Sequence, residues 1–289
     1  MIPQTTGEPG RRTLYVSDLD GTLLGPEALI SDFSRRHLQG MLDDGLLFTV
    51  ASARSVISMR GTLGGLRLSL PVVGFNGGFV SELATGLHLE VASLDGVARG
   101  SWELARAHGL TPIVSTSDGV SEDRVWMAHD RNEGLQMYLD DRLAAEDPRI
   151  RLVDEPGAHI DERVTCLTMI DQRERLEPFE RELVQRFGES IQPHLFDDLY
   201  TLGWSWLTVH AGTATKARAV RSVMSRAGLG DCRLVAFGDQ GNDLPLLRDA
   251  DWAVATENAA PEVKEVADEV IGHHGDDAVV KWLMERHGR

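Results

Sequence analysis

The sequence predicts an α/β protein with a doubly wound parallel-sheet core and an inserted α+β cap, which combines an antiparallel sheet with helices. Two observations lead to this fold class. Towards both ends of the 289-residue chain, short apolar runs alternate with stretches of helical periodicity, which is typical of parallel sheets. In the middle, helical stretches are followed by pairs of strand-like runs, which favours an antiparallel sheet covered on one face by helices.

The core elements are expected from both ends of the chain, in a Rossmann-like order. Strands are predicted at 13–18, 46–52, 71–77, 233–239 and 252–256. Helices are predicted at Ser31–Asp44, 216–227, 242–249, 261–267 and from Asp277 onwards. We therefore expect a flexible tail at 1–12, a core at 13–81 and 212–289, and the inserted cap at 82–211.

The inserted cap shows three helical stretches and three candidate strand pairs. The helices are expected at 94–108, 133–145 and 174–187. The strand pairs are expected to join 112–117 with 125–130, 150–155 with 164–170, and 191–196 with 205–212.

The last predicted strand of the cap carries candidate substrate contacts. Leu207 and Val209 are expected to face the hydrophobic core, which places Trp204, Trp206, Thr208 and His210 on the opposite side. Of these, Trp204, Trp206 and His210 are the candidates for gripping a sugar or an aromatic ring. A partly exposed edge strand or a dimer contact would explain the same pattern.

Composition and charge exclude several classes of function. The chain is 42% hydrophobic and carries no apolar run near the roughly 20 residues that a membrane helix needs. No apolar signal core is present at the N-terminus, and a cytoplasmic protein is expected. With 29 basic and 45 acidic residues, the net charge of −16 disfavours binding to nucleic acid. A site for a phosphorylated ligand must therefore create its own positive field, from a metal and a few placed cations.

The strongest chemical motif is Asp18-Leu19-Asp20-Gly21-Thr22, directly after the first predicted strand. Alternate residues at a strand end point the same way, so the two aspartates can share one small site. Two carboxylates so close are expected to raise the pKa of one of them, which suits a nucleophile beside a general acid. Taken alone, the motif more often indicates only a polar turn.

Three further polar clusters follow predicted strands or begin helices. Asp239 ends a strand, with Asp243 one helical turn further on, and a carboxylate at a strand end is a natural ligand for Mg²⁺. Helix capping by Asp239 or Asn242 explains the pattern equally well. Ser52 and Arg54 end the second strand, where a hydroxyl and backbone amides can hold a phosphoryl oxygen or cap a helix. Lys216 opens a helix, where a cation is mildly unfavourable. Because ligands bind at the carboxyl ends of parallel strands, these clusters are expected to converge.

In this order the clusters resemble the haloacid dehalogenase-like hydrolases, specifically the Cof-type sugar-phosphatase branch of subfamily IIB. The motifs that carry the resemblance are DLDGTLL (18–24), Ser52-Ala53-Arg54, Lys216, GDQGND (238–243) and the Asn76-Gly77-Gly78 turn. Ala53 and Ala217 stand where the family commonly has glycine, and Ser52 replaces threonine. These departures remove no functional group.

The resemblance implies a role for each motif residue. The catalytic residues are Asp18 as nucleophile, Asp20 as general acid and base, and Lys216. Phosphate binding falls to Ser52, Ala53, Arg54 and Asn242. Mg²⁺ is held by Asp18, the backbone carbonyl of Asp20, and Asp239, while Asp243 orients Lys216 or a metal-bound water. The partner is then a small phosphorylated metabolite, such as a sugar phosphate.

Two alternatives to a phosphatase remain open from the sequence. A sugar-phosphate mutase of the phosphomannomutase type has the same class of cap and requires a bisphosphate activator. A non-catalytic ligand-binding protein on the same fold would lack Asp18 or Asp20, and both are present.

Overall fold

A computed structural model describes residues 11–197 and 203–286 of the chain. The chain divides into a core unit, Met1–Leu87 with Thr215–Arg289, and an inserted unit, His88–Ala214. Most of the tail predicted at 1–12 lies outside the described residues. Its last two residues are held in place: Arg11 donates from Nε to the carbonyl of Asp231 (2.7 Å), and Arg12 accepts from the backbone of Arg233 (2.8 Å).

The core unit alternates strands and helices in both of its chain segments. The first segment contains β1 (Thr13–Ser17), α1 (Asp32–Asp43), β2 (Leu47–Val50), α2 (Val56–Thr62), β3 (Val72–Gly74) and β4 (Phe79–Ser81). The elements of the second segment follow the inserted unit, and we number them in chain order. They are α6 (Lys216–Arg226), β12 (Arg233–Gly238), α7 (Leu244–Asp249), β13 (Trp252–Ala255), α8 (Pro261–Val266), β14 (Glu269–Val270) and α9 (Ala278–Arg286).

Five of these strands form one parallel sheet in the order β14-β13-β12-β1-β2. β1 therefore lies between the strand that follows it and a strand from the far end of the chain. This is the point where the strand order reverses, and the carboxyl ends of β12, β1 and β2 lie side by side. The predicted parallel, doubly wound core is confirmed.

Both faces of the parallel sheet are covered, which explains why its strands are mostly apolar. On one face, Phe48 and Phe237 pack with Leu38 of α1 and Leu283 of α9, and all four are buried. The alternate residues of β12 point to the opposite face and are equally buried, and α7 packs on β12 on the way to β13. Burial of both faces removes the alternation of polar and apolar residues that a half-exposed strand would show.

The strand predicted at 71–77 is shorter than expected. β3 continues the sheet through one parallel bridge between Ala51 and Val73, and it pairs with β4 in antiparallel fashion. Residues 75–77, at the end of the predicted strand, instead form a tight turn that joins β3 to β4.

The junctions between the two units differ from the predicted positions by a few residues. Residues 82–87 stay with the core unit because Glu82 bonds to the carbonyl of Leu87 and Arg60 donates to the carbonyl of Leu83 (2.6 Å). Gly212 stays with the inserted unit because its backbone N–H donates to the carbonyl of Ser190 (2.9 Å).

The inserted unit contains the remaining seven strands and three helices of the described chain. They are β5 (His88–Val91), α3 (Ala98–Ala107), β6 (Ile113–Ser117), β7 (Asp123–Ala128), α4 (Glu133–Ala144), β8 (Ile150–Val153), β9 (Val164–Asp171), α5 (Arg173–Phe187), β10 (Ile191–Asp197) and β11 (Ser205–Ala211). Six strands form a sheet in the order β10-β11-β9-β6-β7-β8. Among the described residues, no helix has the length and apolar character needed to span a membrane.

The predicted pairing of 150–155 with 164–170 is wrong. β8 pairs with β7 in parallel and forms an edge of the sheet, whereas β9 lies between β6 and β11. The reason is that α4 connects β7 to β8 as a crossover, and a crossover returns the chain in the same direction. The other two predicted pairs, β6 with β7 and β10 with β11, are confirmed as antiparallel.

The expectation that helices cover one face of this sheet is also wrong. Leu207 and Val209 are buried against α3 and α5, as predicted. The opposite face is covered in part by α4, because Leu135 and Leu139 of this helix pack with Ile113 of β6. The hydrophobic spacing of α4 does not predict this arrangement, since the helix also exposes the apolar side chains of Met137 and Leu143.

Candidate active site

Asp18 is the first residue after β1, at the centre of the parallel sheet. Its backbone N–H donates to the carbonyl of Phe237 on β12 (3.0 Å), which continues the strand pairing to the edge of the sheet. The residue is 6% exposed, and its Oδ1 accepts a hydrogen bond from Nζ of Lys216 at 2.7 Å. A carboxylate is therefore buried at the carboxyl edge of the sheet with a cation beside it.

Lys216 begins α6, and its side chain is fully buried. Its Nζ donates to Oδ1 of Asp18 at 2.7 Å and to Oδ1 of Asp243 at 2.6 Å. Burial alone would lower the pKa of this amine, but the two carboxylates outweigh burial and raise the pKa above its ordinary value. A lone lysine at the start of a helix usually lies on the solvated surface. Lys216 is instead a buried ammonium that bonds to two acidic groups.

Asp239 lies at the end of β12, beside Asp18, and is 3% exposed. Its Oδ1 accepts from Oγ1 of Thr22 at 3.1 Å, and its Oδ2 accepts from the amide of Gln240 at 3.3 Å. Gly21 approaches this carboxylate so closely that a Cβ would lie 2.8 Å from Cγ of Asp239. With φ at +71°, position 21 requires glycine for both space and backbone conformation.

Asp243 is buried behind Asp18 and Asp239, and it organises the loop after β12. Its Oδ2 accepts from the backbone N–H groups of Asp239 (2.9 Å) and Gln240 (3.1 Å), and its Oδ1 accepts from Lys216. Gly238 leaves room for this side chain, because a Cβ there would lie 2.6 Å from the Cβ of Asp243. With both oxygens engaged, Asp243 is placed to hold Lys216 and the loop in position.

Two of the three buried carboxylates, Asp18 and Asp239, have raised pKa values. Burial raises the pKa of Asp18 well above its ordinary range; Lys216 opposes this shift, and the charges of Asp243 and Asp239 add to it. Burial and the charge of Asp243 raise the pKa of Asp239 to about 6. A single ammonium therefore does not neutralise this cluster, and the site favours a further cation.

The donor set fits a hard divalent cation such as Mg²⁺. One carboxylate oxygen from each of Asp18, Asp239 and Asp243 lies within 4.8 Å of the others. Mg²⁺ prefers oxygen ligands and takes one or two protein carboxylates, with water and substrate phosphate completing its shell. Since Asp243 is already committed to Lys216 and two backbone amides, Asp18 and Asp239 are the carboxylates suited to the metal.

Asp20 lies apart from this acidic cluster, although it is only two residues from Asp18. Its side chain is about half exposed, and both oxygens accept from Arg54, at 2.7 Å from Nε and 2.6 Å from Nη2. The same guanidinium donates to the hydroxyl of Ser58 at 3.1 Å. The residue predicted as general acid is thus paired with a residue predicted to bind phosphate.

The segment after β2 places a hydroxyl and backbone amides at the same edge of the sheet. Ser52 is buried, and its Oγ accepts from the backbone N–H of Arg54 at 3.2 Å. Its backbone N–H donates to the carbonyl of Val73 on β3 (3.0 Å), which fixes the loop to the next strand. Ala53 is exposed, and because its side chain is a methyl group, only its backbone can form hydrogen bonds to a ligand.

Asn242 has a partner to which the sequence motifs assigned no role. Its Nδ2 donates to Oδ1 of Asn76 at 2.9 Å, and Asn76 lies in the turn after β3. The Asn-Gly pair in the sequence indicates a turn with positive φ, but it does not reveal which loop the asparagine side chain will reach. That contact spans 166 positions of the chain.

The three aromatic candidates in the inserted unit are tied into its own packing. Trp206 contacts Tyr138 of α4 edge-on, with 5.4 Å between ring centroids, and stacks on Phe196 at 6.1 Å. A Cβ at Gly134 would lie 2.5 Å from the ring of Trp204, so the backbone of α4 packs directly on that tryptophan. Contact of these residues with a substrate stays a prediction.

His210 is buried beside Cys166, with 3.7 Å between Nε2 and Sγ, and its environment predicts a pH-dependent stability. Burial and the nearby His194 lower the pKa of His210 to about 3, from an ordinary 6.5. Between pH 6.5 and about 3, the imidazole of His210 therefore binds a proton in the unfolded chain but not in the folded chain. The contribution of His210 to the free energy of unfolding is fully present above pH 6.5, and we expect about 2 kcal/mol of it to be lost by pH 5.

Urea unfolding at pH 7 and pH 5, followed by tryptophan fluorescence, tests this expectation. His210→Gln should flatten the pH dependence. The exposed His129, in the same unit, provides the control: His129→Gln should leave it unchanged. An identical pH dependence in His210→Gln and the wild type would contradict the prediction.

Comparison with known proteins identifies a family and relatives that match most of this chain. A family model for haloacid dehalogenase-like hydrolases matches residues 15–283. The chain is 24% identical over 275 residues to the 5-amino-6-(5-phospho-D-ribitylamino)uracil phosphatase of Bacillus subtilis strain 168, covering 94% of this chain and 96% of that one. It is 22% identical over 270 residues to the pyridoxal phosphate phosphatase of Escherichia coli K12, covering 92% and 95%.

The fold also matches solved structures. A haloacid dehalogenase-like hydrolase from Bacteroides thetaiotaomicron aligns with a TM-score of 0.76 at 21% identity, over 95% of this chain and 99% of that chain. The family match spans both chain segments of the core unit and the inserted unit between them. This chain therefore belongs to the haloacid dehalogenase-like hydrolases, in their Cof-type branch, and it is a phosphomonoester hydrolase.

Proposed function

We propose that this protein is a Mg²⁺-dependent phosphatase that hydrolyses a small phosphorylated metabolite through an aspartyl-phosphate intermediate on Asp18. One observation carries the proposal: Asp18, Asp239 and Asp243 are buried close together, and the ammonium of Lys216 donates to two of them. Phosphoryl transfer needs an in-line nucleophile and neutralisation of charge on the phosphoryl oxygens. This cluster offers both at the carboxyl edge of the sheet.

Asp18 is suited to the role of nucleophile by its position and its partners. Its Oδ1 is held by Lys216, and the residue is buried at the carboxyl edge of the sheet. A carboxylate oxygen attacks phosphorus, the bond from phosphorus to the leaving oxygen breaks, and an acyl phosphate forms on Asp18. Water then attacks phosphorus, the bond to Asp18 breaks, and inorganic phosphate leaves.

Asp18, the backbone carbonyl of Asp20, and Asp239 would hold Mg²⁺ in this proposal. When bound, Mg²⁺ supplies positive charge to the phosphoryl oxygens and offsets the mutual repulsion of the carboxylates. Lys216 donates to Oδ1 of Asp18, and Asp243 holds this ammonium in place through the 2.6 Å hydrogen bond. The surplus of buried negative charge is the physical reason to expect metal dependence.

Asp20 donates a proton to the leaving oxygen and later accepts one from the attacking water. In the observed arrangement each of its oxygens accepts one hydrogen bond from Arg54, so the reacting groups compete with this guanidinium for Asp20. A substrate phosphate that takes Arg54 as its partner would release Asp20 for this role. Ser52, the backbone at Ala53, and Asn242 complete the proposed phosphate contacts.

The substrate class follows from the chemistry of the site and from the relatives. The named activities of two relatives concern a phosphorylated ribitylaminouracil and pyridoxal phosphate, both small phosphomonoesters. We therefore propose a small phosphomonoester, such as a sugar phosphate or a phosphorylated heterocycle. The aromatic residues Trp204 and Trp206, together with His210, remain candidates for selecting it.

Release of inorganic phosphate from a panel of such compounds tests the proposal. The wild type should release phosphate with Mg²⁺ and without any bisphosphate activator, and EDTA should abolish release. A mutase would instead return the phosphate to the sugar and depend on a bisphosphate. Phosphate transfer without release, or no turnover of any compound in the panel, would overturn the proposal.

A further inference from the structure

We infer that Asn76 is a positioning residue that holds the amide of Asn242 for contact with a substrate phosphate. The inference rests on the proposed phosphatase function, since it assigns a task within that site. It concerns a residue outside the four motif segments that carry the catalytic roles.

The backbone of Asn76 is held in an unusual conformation by the loop after β2. Its φ is +55°, in the left-handed region that asparagine tolerates better than most residues. Its N–H donates to the carbonyl of Ser52 at 3.0 Å, and the N–H of Phe75 donates to the carbonyl of Arg54 at 3.1 Å. The turn is thereby fastened to the segment proposed to bind phosphate.

The side chain of Asn76 connects this turn to the loop after β12. Asn76 is 7% exposed, and its Oδ1 accepts from Nδ2 of Asn242 at 2.9 Å. The next residue, Asp243, is held by Lys216 and by two backbone N–H groups, so Asn242 is restrained through both its side chain and its neighbour. An amide nitrogen has two protons, and donation to Asn76 leaves one for a phosphoryl oxygen.

Gly77 brings the same turn against the start of α6. Its φ is +103°, and a Cβ at this position would lie 2.7 Å from the backbone nitrogen of Thr215. Thr215 caps α6 and immediately precedes Lys216. The turn at residues 75–77 therefore contacts the segments that carry Ser52, Asn242 and Lys216, and Asn76 supplies its side-chain link.

Asn76→Gly removes the amide while keeping a residue that adopts positive φ without strain. We expect the inhibition constant of inorganic phosphate and the KM to rise about tenfold, as for Asn242→Ala, because each variant weakens one hydrogen bond to a charged ligand. The double variant should be no worse than either single variant, since both interrupt the same contact. Calorimetric titration with inorganic phosphate, in the presence of Mg²⁺, gives the affinity independently of turnover.

Asp277→Gly is the matched structural control. Asp277 also has positive φ (+58°) in the core unit and bonds to the hydroxyls of Ser31 and Ser34. This variant should lower Tm without changing phosphate affinity or KM. The inference fails if Asn76→Gly behaves like this control, or if the effects of Asn76→Gly and Asn242→Ala are additive. If the wild type hydrolyses nothing, the proposed function fails, and calorimetry with phosphate alone still decides the role of Asn76.

Discussion

Asp18→Asn is expected to lower the rate of phosphate release by about 10⁴-fold or more, because it removes the attacking oxygen of the proposed mechanism. The fold should survive. Asparagine keeps a carbonyl oxygen for the hydrogen bond from Lys216 and removes a charge that burial and two neighbouring carboxylates disfavour. Phosphate release by the purified variant, together with its thermal unfolding, provides the measurement.

Two controls make the Asp18 result decisive. Asp18→Ala excludes slow deamidation of asparagine back to aspartate as a source of activity. Asp32→Asn makes the same chemical change at an exposed position of α1, where the side chain is 85% exposed, and should leave turnover unchanged. Acid quenching of the wild type during turnover should trap a phosphoryl group on the peptide that contains Asp18. Turnover close to wild type in Asp18→Ala would refute the mechanism.

Asp239→Asn is expected to abolish the response of the protein to Mg²⁺ and to lower kcat/KM by about 10²- to 10³-fold. For the wild type, Mg²⁺ at 100 times its Kd should raise the free energy of unfolding by about 2.7 kcal/mol. Asp239→Asn lacks one of the two proposed carboxylate ligands, so this stabilisation should disappear. Thermal unfolding in EDTA and in Mg²⁺ measures the effect without reference to activity.

The same variant has an opposite expected effect in the absence of metal. The pKa of Asp239 is raised to about 6 in the folded protein, from an ordinary 3.8. The stability linked to this group is present below pH 3.8 and is lost as pH rises through about 6. At pH 7.5 in EDTA, Asp239→Asn should therefore be at least as stable as the wild type. Asp32→Asn should behave as wild type under both conditions, and equal stabilisation of Asp239→Asn by Mg²⁺ would contradict the assignment.

The parallel core was predictable because its strands are mostly apolar and three of them are each followed by a polar cluster. Asp18, Ser52 and Asp239 follow β1, β2 and β12, which are neighbours in the sheet. Chain order alone does not show that β12 adjoins β1. The expectation that ligands bind where strand order reverses was sufficient to bring these residues together.

The errors in the inserted unit have a common cause. A run such as 150–155 shows that a strand is present, but its partner depends on the path of the connecting helix, and α4 carries the chain back in parallel to β7. The same helix packs on the face that was expected to be free of helices, because its buried residues Leu135 and Leu139 pack against Ile113 there. Strand pairing is a non-local choice that local periodicity does not encode.

The sequence by itself determined the fold class, the family resemblance and the residues that carry the chemistry, because these depend on local periodicity and on short motifs. Only the tertiary structure decided the partners of those residues. It placed Lys216 between Asp18 and Asp243, paired Asp20 with Arg54, and joined Asn242 to Asn76. The physical reason is that hydrogen bonds and charge interactions depend on distances between atoms, and the sheet brings together residues as far apart as 18 and 216.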